Sequence, residues 1–267
     1  MRRLLAGLAV LLVVALGAGV LAVLQPWSDE PAVDPPVVPQ DVPGPVLLVP
    51  GYGGSTASLQ PLAERVRAAG RDATVVDLPG DGRGDLREAA ASLDTSVTAA
   101  LSSGAHSVDL VGYSAGGVTI RLWVREHAGE TKARRIVTLG SPHHGAQVAA
   151  LGVLLGDDEV CPLGCQQLAP NSEVLTELNA GDEAPEGPRW VSVWSRYDDV
   201  VTPVDSASLL GAVDVPLQDV CADSRADHGA LPRDPLATGL VLAAIGPGLD
   251  SVPGPGECAE LRAAGRG

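Results

Sequence analysis

The chain has 267 residues, 45% of them apolar, which is enough for one domain of ordinary size or two small ones with a proper core. Its 33 acidic residues outnumber its 18 basic residues, and the formal net charge is -15. Phosphate backbones and anionic membrane surfaces repel such a charge, which argues against nucleic acid as a partner. Only 3% of the residues are aromatic, so leucine, valine and alanine must build the core.

The N-terminus combines Met1-Arg2-Arg3 with an uncharged apolar run over residues 4–24. As a helix this run extends about 30 Å, enough to cross the hydrocarbon core of a bilayer. The two arginines favour a cytoplasmic N-terminus, so the rest of the chain is predicted to be exported. A retained membrane anchor is favoured over a cleaved signal peptide, because the run is long for a signal sequence and only Gly17-Ala18-Gly19 offers a weak cleavage site.

The stretch that follows, residues 26–45, contains seven prolines. This composition is expected neither to pack nor to pair as a strand, and it predicts an extended tether. The predicted organisation is therefore an anchor or signal in 1–25, a tether in 26–45, and one domain in 46–267. The domain would lie outside the cytoplasm, anchored through residues 4–24 or secreted if that segment is cleaved.

From residue 46 onwards, strand-like and helix-like patterns alternate. Apolar strands are predicted at 46–50, 73–79, 107–113, 133–142, 189–195 and 214–220. Helices are predicted at 58–69, 85–102, 117–128 and 235–246. Strands that are apolar on both faces and alternate with helices predict a mostly parallel sheet with helices on both sides.

One segment, residues 146–188, interrupts this alternation and is predicted to be a cap or lid. It contains an amphipathic patch at 166–179 and a C-x-x-x-C pair. The chain has four cysteines in all, and an even number in an exported chain predicts disulfides. Of three possible pairings, Cys161–Cys165 with Cys221–Cys258 is favoured. A single C-x-x-x-C offers too few ligands for zinc, so no metal or other cofactor is predicted.

Residues 108–117 read VDLVGYSAGG, which places Ser114 in a G-x-S-x-G motif. The motif alone is a weak signal in a chain with 32 glycines, but here an apolar strand precedes it and a helix follows. A sharp strand-to-helix turn needs glycines beside the serine and places the hydroxyl at a helix N-terminus, which favours developing negative charge. This context predicts a nucleophile rather than an ordinary turn serine.

A serine of ordinary pKa needs a general base, and the base needs an orienting acid. In this type of site the chain order is serine, acid, histidine, and His228 alone follows the last predicted strand. The other histidines come too early or lie at a helix end: His106, His127, His143 and His144.

Two adjacent carboxylates, Asp198 and Asp199, come just after a buried strand. Asp198 is favoured as the acid because it opens the run D-x-V-V-x-P. Asp205 and Asp214 are interpreted as solvated loop residues.

Two backbone N–H groups are needed to stabilise an oxyanion. The amide of Ala115 directly follows the serine, and Tyr52 in the glycine-rich stretch 49–55 is predicted to supply the second donor. A phosphate-binding interpretation of these glycines is weaker, because neither Lys-Ser/Thr nor G-x-G-x-x-G spacing is present.

Together these motifs resemble the bacterial lipase/esterase branch of the α/β-hydrolase superfamily, most closely the secreted actinobacterial triacylglycerol lipases. The similarity covers about 46–235 and rests on LLVPGYGGS, VDLPGDGRGD, LVGYSAGG, TLGSPHHGA, WSRYDDVVTP and DHGALP, with CPLGCQQLAPNSEVLTELNAGDE as a cap segment. The resemblance implies an α/β-hydrolase fold and hydrolysis of lipid-like carboxylic esters without a metal, and it supports Asp198. The family's usual His-Gly in the oxyanion loop is here Pro50-Gly51, which leaves that loop's conformation open.

The predicted function is therefore hydrolysis of acyl esters through an acyl-enzyme, with the patch at 166–179 contacting acyl chains if it faces the site. An acyltransferase or an amide hydrolase could use the same three residues. A non-catalytic surface binding module is the alternative from another class. The predicted partners are an acyl-ester substrate and, through the apolar N-terminal segment, a membrane; the sequence indicates no oligomeric state.

Overall fold

In the computed structural model, which describes residues 38–155, 159–246 and 249–267, six short strands form one parallel sheet. The strands are β1 Val46–Val49, β2 Ala73–Val75, β3 Val108–Tyr113, β4 Ala133–Leu139, β5 Arg189–Trp194 and β6 Val213–Pro216. Their order in the sheet is β2-β1-β3-β4-β5-β6. The direction of winding therefore reverses between β1 and β3, and in open α/β sheets ligands bind outside the strand ends at such a point.

Helices connect the strands and cover both faces of the sheet. Within the described residues the α-helices are α1 Thr56–Ala68, α2 Leu86–Ser102, α3 Ala115–Glu126, α4 Gln147–Leu155, α5 Leu163–Gln167, α6 Glu173–Leu178, α7 Leu217–Val220, α8 Pro235–Ile245 and α9 Cys258–Arg266. Successive strand residues point to opposite faces. Val46 and Leu48 of β1 accordingly pack in the layer of α1, α8 and α9, whereas Leu47 and Val49 pack in the layer of α2, α3 and α6.

The predicted α/β-hydrolase arrangement, a parallel sheet with helices on both faces, is confirmed. The predicted strand at 214–220 is wrong in its second half: β6 ends at Pro216, and Leu217–Val220 form the short helix α7. Pro216 has no N–H for a further ladder bond, and it serves as the N-cap of that helix. Asp214, interpreted from the sequence as a loop residue, lies in β6 and accepts a hydrogen bond from the indole of Trp194 at 3.0 Å.

The two disulfides join the pairs favoured from the sequence, Cys161 with Cys165 and Cys221 with Cys258. The second bond links the end of α7 to the start of α9. Among the described residues, one cluster of possible metal ligands was found, Cys221, Asp223 and Cys258, but both of its sulfurs are in the disulfide.

The predicted membrane segment at residues 4–24 lies outside the described residues. Within the ranges 38–155, 159–246 and 249–267, no helix is both long and apolar enough to cross a bilayer.

At the amino ends of the strands, two arginines contact one buried carboxylate. Asp109 is fully buried and contacts Arg134 (Nε at 3.0 Å) and Arg71 (Nη2 at 2.6 Å). Both guanidiniums also donate to the carbonyl of Ile245, the last residue of α8, at 2.6 and 2.7 Å. A helix C-terminus leaves such carbonyls without intrahelical partners, and cations stabilise it.

The same arginines hold the last part of the predicted tether. Arg134 donates to the carbonyl of Gln40 at 3.0 Å, and Arg71 donates to that of Gly44 at 2.6 Å. Val38 is buried. The prediction that the tether does not pack is therefore wrong for residues 38–45. They pack against the domain because their backbone carbonyls supply acceptors for the two arginines.

We expect Asp109→Asn to lower the free energy of unfolding by about 3 to 5 kcal/mol, since it leaves two guanidiniums without their counter-ion. Urea unfolding followed by circular dichroism measures this change. Asp72→Asn, at an exposed position close in the chain to Arg71, is the matched control and should change stability little. Equal effects of the two substitutions would contradict this account of the cluster.

Candidate active site

Ser114 lies at the turn between β3 and α3, and its backbone has φ 53° and ψ -126°. Residues other than glycine rarely adopt a positive φ, and such strain persists only where the surroundings enforce it. Here the Ser114 N–H donates to the carbonyl of Leu139 at 2.8 Å. A β-carbon at Gly116 would overlap the carbonyl of Val49, and one at Gly112 would lie 2.6 Å from a backbone nitrogen of α3. The two motif glycines are thus required by close backbone contacts.

The hydroxyl of Ser114 lies next to the histidine and aspartate proposed from the sequence. His228 Nε2 is 3.0 Å from Ser114 Oγ, and His228 Nδ1 is 2.7 Å from Asp198 Oδ2. The other carboxylate oxygen of Asp198 accepts N–H bonds from Val200 at 2.9 Å and Val201 at 2.7 Å. The three side chains therefore form a continuous hydrogen-bonded chain, and the carboxylate is held at both oxygens.

The neighbouring carboxylate, Asp199, has a different contact. Its Oδ1 accepts the backbone N–H of His228 at 3.3 Å, whereas the imidazole ring contacts Asp198. The other histidines lie away from the serine: His106 is exposed, His127 is the C-cap of α3, and His144 pairs with Glu183 at 3.0 Å.

The two proposed oxyanion donors lie on either side of the serine. Ala115 is the first residue of α3, where a backbone N–H has no intrahelical acceptor. Tyr52 lies in the turn after β1, and among the described residues no acceptor is found for its N–H. This turn approaches the serine closely, because a β-carbon at Gly51 would lie 3.0 Å from Ser114 Cβ.

Three further residues support this arrangement and were not identified from the sequence. The Tyr113 hydroxyl donates to the carbonyl of His228 at 3.0 Å, and the two rings lie 5.1 Å apart. Burial, together with nearby carboxylates, raises the pKa of Tyr113 to about 12, so the hydroxyl stays protonated as a donor. Ser195 Oγ donates to the carbonyl of Ala226 at 2.6 Å and so ties the end of β5 to the histidine loop.

Gly140 is the third of these residues. It has φ +54°, and a β-carbon there would lie 2.6 Å from Leu231 Cδ1 and 3.1 Å from Asp198 Oδ2. Glycine is therefore required where β4 passes the aspartate. From the sequence, Tyr113 was known only as a member of the motif around Ser114. The contacts of Gly140 and Ser195 did not follow from the sequence because they join segments far apart in the chain.

A largely apolar cleft of about 420 Å³ opens beside Ser114. Its lining includes Tyr52, Pro142, Ala146, Val148, Ala149, Leu151, Gly152, Val160, Cys165, Leu168, Val200 and Val201. Helix α4 supplies much of this wall. Of the predicted patch at 166–179 only Leu168 lines the cleft, because Val174, Leu175 and Leu178 are buried in the core layer of α2 and α3.

A buried histidine, His143, holds the segment that follows β4. Its Nε2 is 3.1 Å from Thr138 Oγ1, which donates to Ser192 Oγ at 3.0 Å, which in turn donates to the carbonyl of Ala207 at 2.7 Å. Because the hydroxyl proton of Thr138 is already used, Nε2 of His143 must be the donor in their contact. The carbonyl of His143 also accepts from Asn179 at 3.0 Å, at the end of α6.

Full burial lowers the pKa of His143 well below its usual value, and the positive charge of Arg121 adds to this effect. Desolvation likewise lowers the pKa of Arg121, to about 10. His143 is therefore neutral in the folded protein at physiological pH.

Comparisons with known proteins agree with this architecture. Residues 44–160 match the family model described as the alpha/beta hydrolase fold. Lipase B of Aspergillus fumigatus superposes with a TM-score of 0.65 at 18% identity, over 85% of this chain and 64% of that one. The mature form of the Bacillus licheniformis lipase BlEst2 gives 0.59 at 19% identity, over 74% of this chain and 90% of that one.

A Listeria innocua gene product of known structure gives a TM-score of 0.56 at 13% identity, over 79% of this chain and 98% of that one. A search of curated proteins found no match. The chain spans 64% of the length of the Aspergillus lipase, and identities this low show the fold alone. The chain thus has the α/β-hydrolase fold.

We expect the free energy of unfolding of His143→Gln to fall less steeply at acidic pH than that of the wild type. Below about pH 6.5 the unfolded chain binds a proton at this histidine that the folded chain does not, so the free energy of unfolding falls as the pH decreases. One such histidine contributes a slope of about 1.4 kcal/mol per pH unit. Urea unfolding at pH 7.5, 6.0 and 5.0 measures the slope.

The matched control for this prediction is His106→Gln, at an exposed position. That variant should keep the slope of the wild type. An unchanged slope in His143→Gln would mean that His143 is protonated in the folded protein.

Proposed function

We propose that the protein is a serine hydrolase of carboxylic esters, of the lipase/esterase type. The observation that carries this proposal is the hydrogen-bonded chain from Ser114 through His228 to Asp198 beside an apolar cleft. These distances support the roles of nucleophile, base and orienting acid that acyl transfer requires.

In the acylation step, His228 Nε2 takes the Ser114 proton as Oγ attacks the ester carbonyl. The resulting oxyanion accepts hydrogen bonds from the N–H groups of Tyr52 and Ala115. The tetrahedral intermediate then breaks its bond to the alcohol, which leaves with the proton that His228 returns. In deacylation, water gives a proton to His228 and attacks the acyl-enzyme, and Ser114 recovers its proton as the acid leaves.

Asp198 would hold the imidazole in the tautomer with a proton on Nδ1 and stabilise the imidazolium that forms in both steps. The two backbone N–H bonds to its other oxygen fix its orientation. Tyr113 and Gly140 would keep His228 and Asp198 at their positions.

The cleft supports the proposed substrate class. An apolar wall beside the hydroxyl suits the acyl chain of a lipid-like ester better than a polar acyl group. Both the Aspergillus and the Bacillus neighbours are lipases, which agrees with this assignment. We also propose that the protein is a secreted triacylglycerol lipase of the bacterial type. Its two disulfides support a location outside the cytoplasm, where disulfides persist.

We expect Ser114→Ala to abolish both ester hydrolysis and labelling by a fluorophosphonate probe. Asp198→Asn should lower kcat by roughly 10⁴-fold, because an amide favours the wrong imidazole tautomer. Asp199→Asn is the matched control and should retain most of the activity, since its contact is with the backbone. A wild type that takes no label would favour a binding module, and equal losses at 198 and 199 would refute the assigned acid.

We expect p-nitrophenyl esters to be cleaved much faster than the matching anilides, with a preference for medium or long acyl chains. Ala149→Leu should reduce kcat/KM for the longer esters more than for the acetate, because it fills the cleft wall. Ala150→Leu, at the exposed neighbouring position of α4, is the control. A uniform loss at all chain lengths would show that acyl chains bind elsewhere.

A further inference from the structure

The loop that carries Tyr52 has an unusual backbone course. Gly53 and Gly54 have φ of +87° and +60°, and the Gly54 N–H donates to the carbonyl of Gly51 at 3.0 Å. Because Gly51 lies against Ser114, a small displacement of this turn would move the Tyr52 N–H relative to the serine. The position of the proposed oxyanion donor therefore depends on what holds the turn.

Part of the turn borders open space rather than packed side chains. A pocket of about 150 Å³ is lined by Pro50, Gly51 and Ala115 together with residues of the segment 78–86. Protein interiors usually fix a backbone by close packing, and a pocket removes part of that support. The contacts that the turn does make therefore matter for its position.

Those contacts come from the loop at 79–85. Gly53 donates its N–H to the carbonyl of Gly82 at 3.0 Å, and a β-carbon at Gly82 would overlap the backbone of Gly54. The guanidinium of Arg83 lies 5.7 Å from the centre of the Tyr52 ring. This loop thus touches the turn at three successive residues.

The cap contacts the loop at 79–85 through the buried side chain of Gln167, which lies at the end of α5 and is 9% exposed. Its Oε1 accepts the N–H of Leu86 at 2.8 Å, and its Nε2 donates to Asp85 Oδ1 at 2.7 Å. The Gly164 N–H donates to the carbonyl of Arg83 at 3.0 Å. Both ends of the Gln167 amide are therefore used to join cap and loop.

We propose that Gln167 is a positioning residue for the oxyanion site: it fixes the Tyr52 N–H beside Ser114 through the loop at 79–85. The inference rests on the proposed ester hydrolase function and deepens it. An oxyanion donor stabilises the tetrahedral state rather than the bound ester. Loss of Gln167 should therefore lower kcat and leave KM nearly unchanged.

The first test compares two adjacent glutamines of α5 in the full-length protein. Gln167→Ala should lower kcat for p-nitrophenyl hexanoate by roughly 10- to 100-fold, because removing one oxyanion donor entirely costs about 10²–10³. Gln166→Ala is the matched control, since the Gln166 amide donates to the carbonyl of Cys161 at 2.9 Å, within the cap. It should keep kcat within about twofold. Equal losses in the two variants would overturn the proposal.

The second test exchanges donor and acceptor. Gln167→Glu alone places a carboxylate against that of Asp85 and should reduce kcat as strongly as Gln167→Ala. In the double variant Asp85→Asn with Gln167→Glu, the new carboxylate can accept from both the Leu86 N–H and the introduced amide. The amide oxygen at position 85 can keep the N-cap bond that Asp85 Oδ1 accepts from the Arg87 N–H at 2.9 Å. Recovery of most of kcat in the double variant supports the proposal, and no recovery contradicts it.

The third test separates positioning from general weakening of the fold. Ser114 Oγ adds to the boron of hexylboronic acid and gives its proton to His228, so that a hydroxyl on the tetrahedral boron faces the oxyanion donors. Hexanol only fills the cleft. In Gln167→Ala, the inhibition constant of the boronic acid should rise in proportion to the loss of kcat, and that of hexanol should not change. Parallel changes for both inhibitors would indicate a merely structural role and overturn the inference.

The proposed function and this inference fail in different ways. A wild type without esterase activity or fluorophosphonate labelling would remove the proposed function. An active wild type whose Gln167 variants keep kcat and boronic acid affinity would remove only the role of Gln167.

Discussion

The strand-to-helix turn at Ser114 is the constraint on which the arrangement at the carboxyl ends of the strands depends. A residue other than glycine keeps a φ of 53° only where its surroundings enforce it. At Ser114 these surroundings are the Leu139 carbonyl and the close contacts at Gly112 and Gly116. These contacts bring β1, β3 and β4 together at their carboxyl ends, beside the point where the winding of the sheet reverses. At this turn Ser114 borders the apolar cleft.

The two edges of the sheet are stabilised by different interactions. At the amino ends of the strands, a buried carboxylate at Asp109 organises two arginines, a helix C-terminus and the incoming chain. At the carboxyl ends, the bonds are mostly between side chains and loop backbone, as for Tyr113 and Ser195. Loops held by few discrete bonds on a firmly packed sheet are the usual way in which folds of this kind place reactive groups.

Sequence patterns predicted what depends on local chemistry and missed what depends on distant contacts. The strands, the turn at Ser114 and the choice of His228 followed from apolar runs, glycine spacing and chain order. The end of β6 was missed because a proline at a sheet edge stops the ladder without changing the apolar pattern. Whether the patch at 166–179 faces the site did not follow from the sequence, because an amphipathic patch shows that one side is buried, but not which surface buries it.

Two helices of the predicted cap, α4 and α5, therefore contact different parts of the site. Helix α4 lines part of the cleft with Val148 and Leu151, whereas Gln167 of α5 bonds to the loop that contacts the turn at Tyr52. The Cys161–Cys165 disulfide lies where these parts meet, since a β-carbon at Gly152 of α4 would lie 3.0 Å from Cys161 Cβ. Under the proposed function, changes in α4 would alter which acyl chains bind, and changes in α5 would alter the rate at which any of them reacts. An insertion built in this way can diverge in substrate preference while the groups that stabilise the tetrahedral state remain in place.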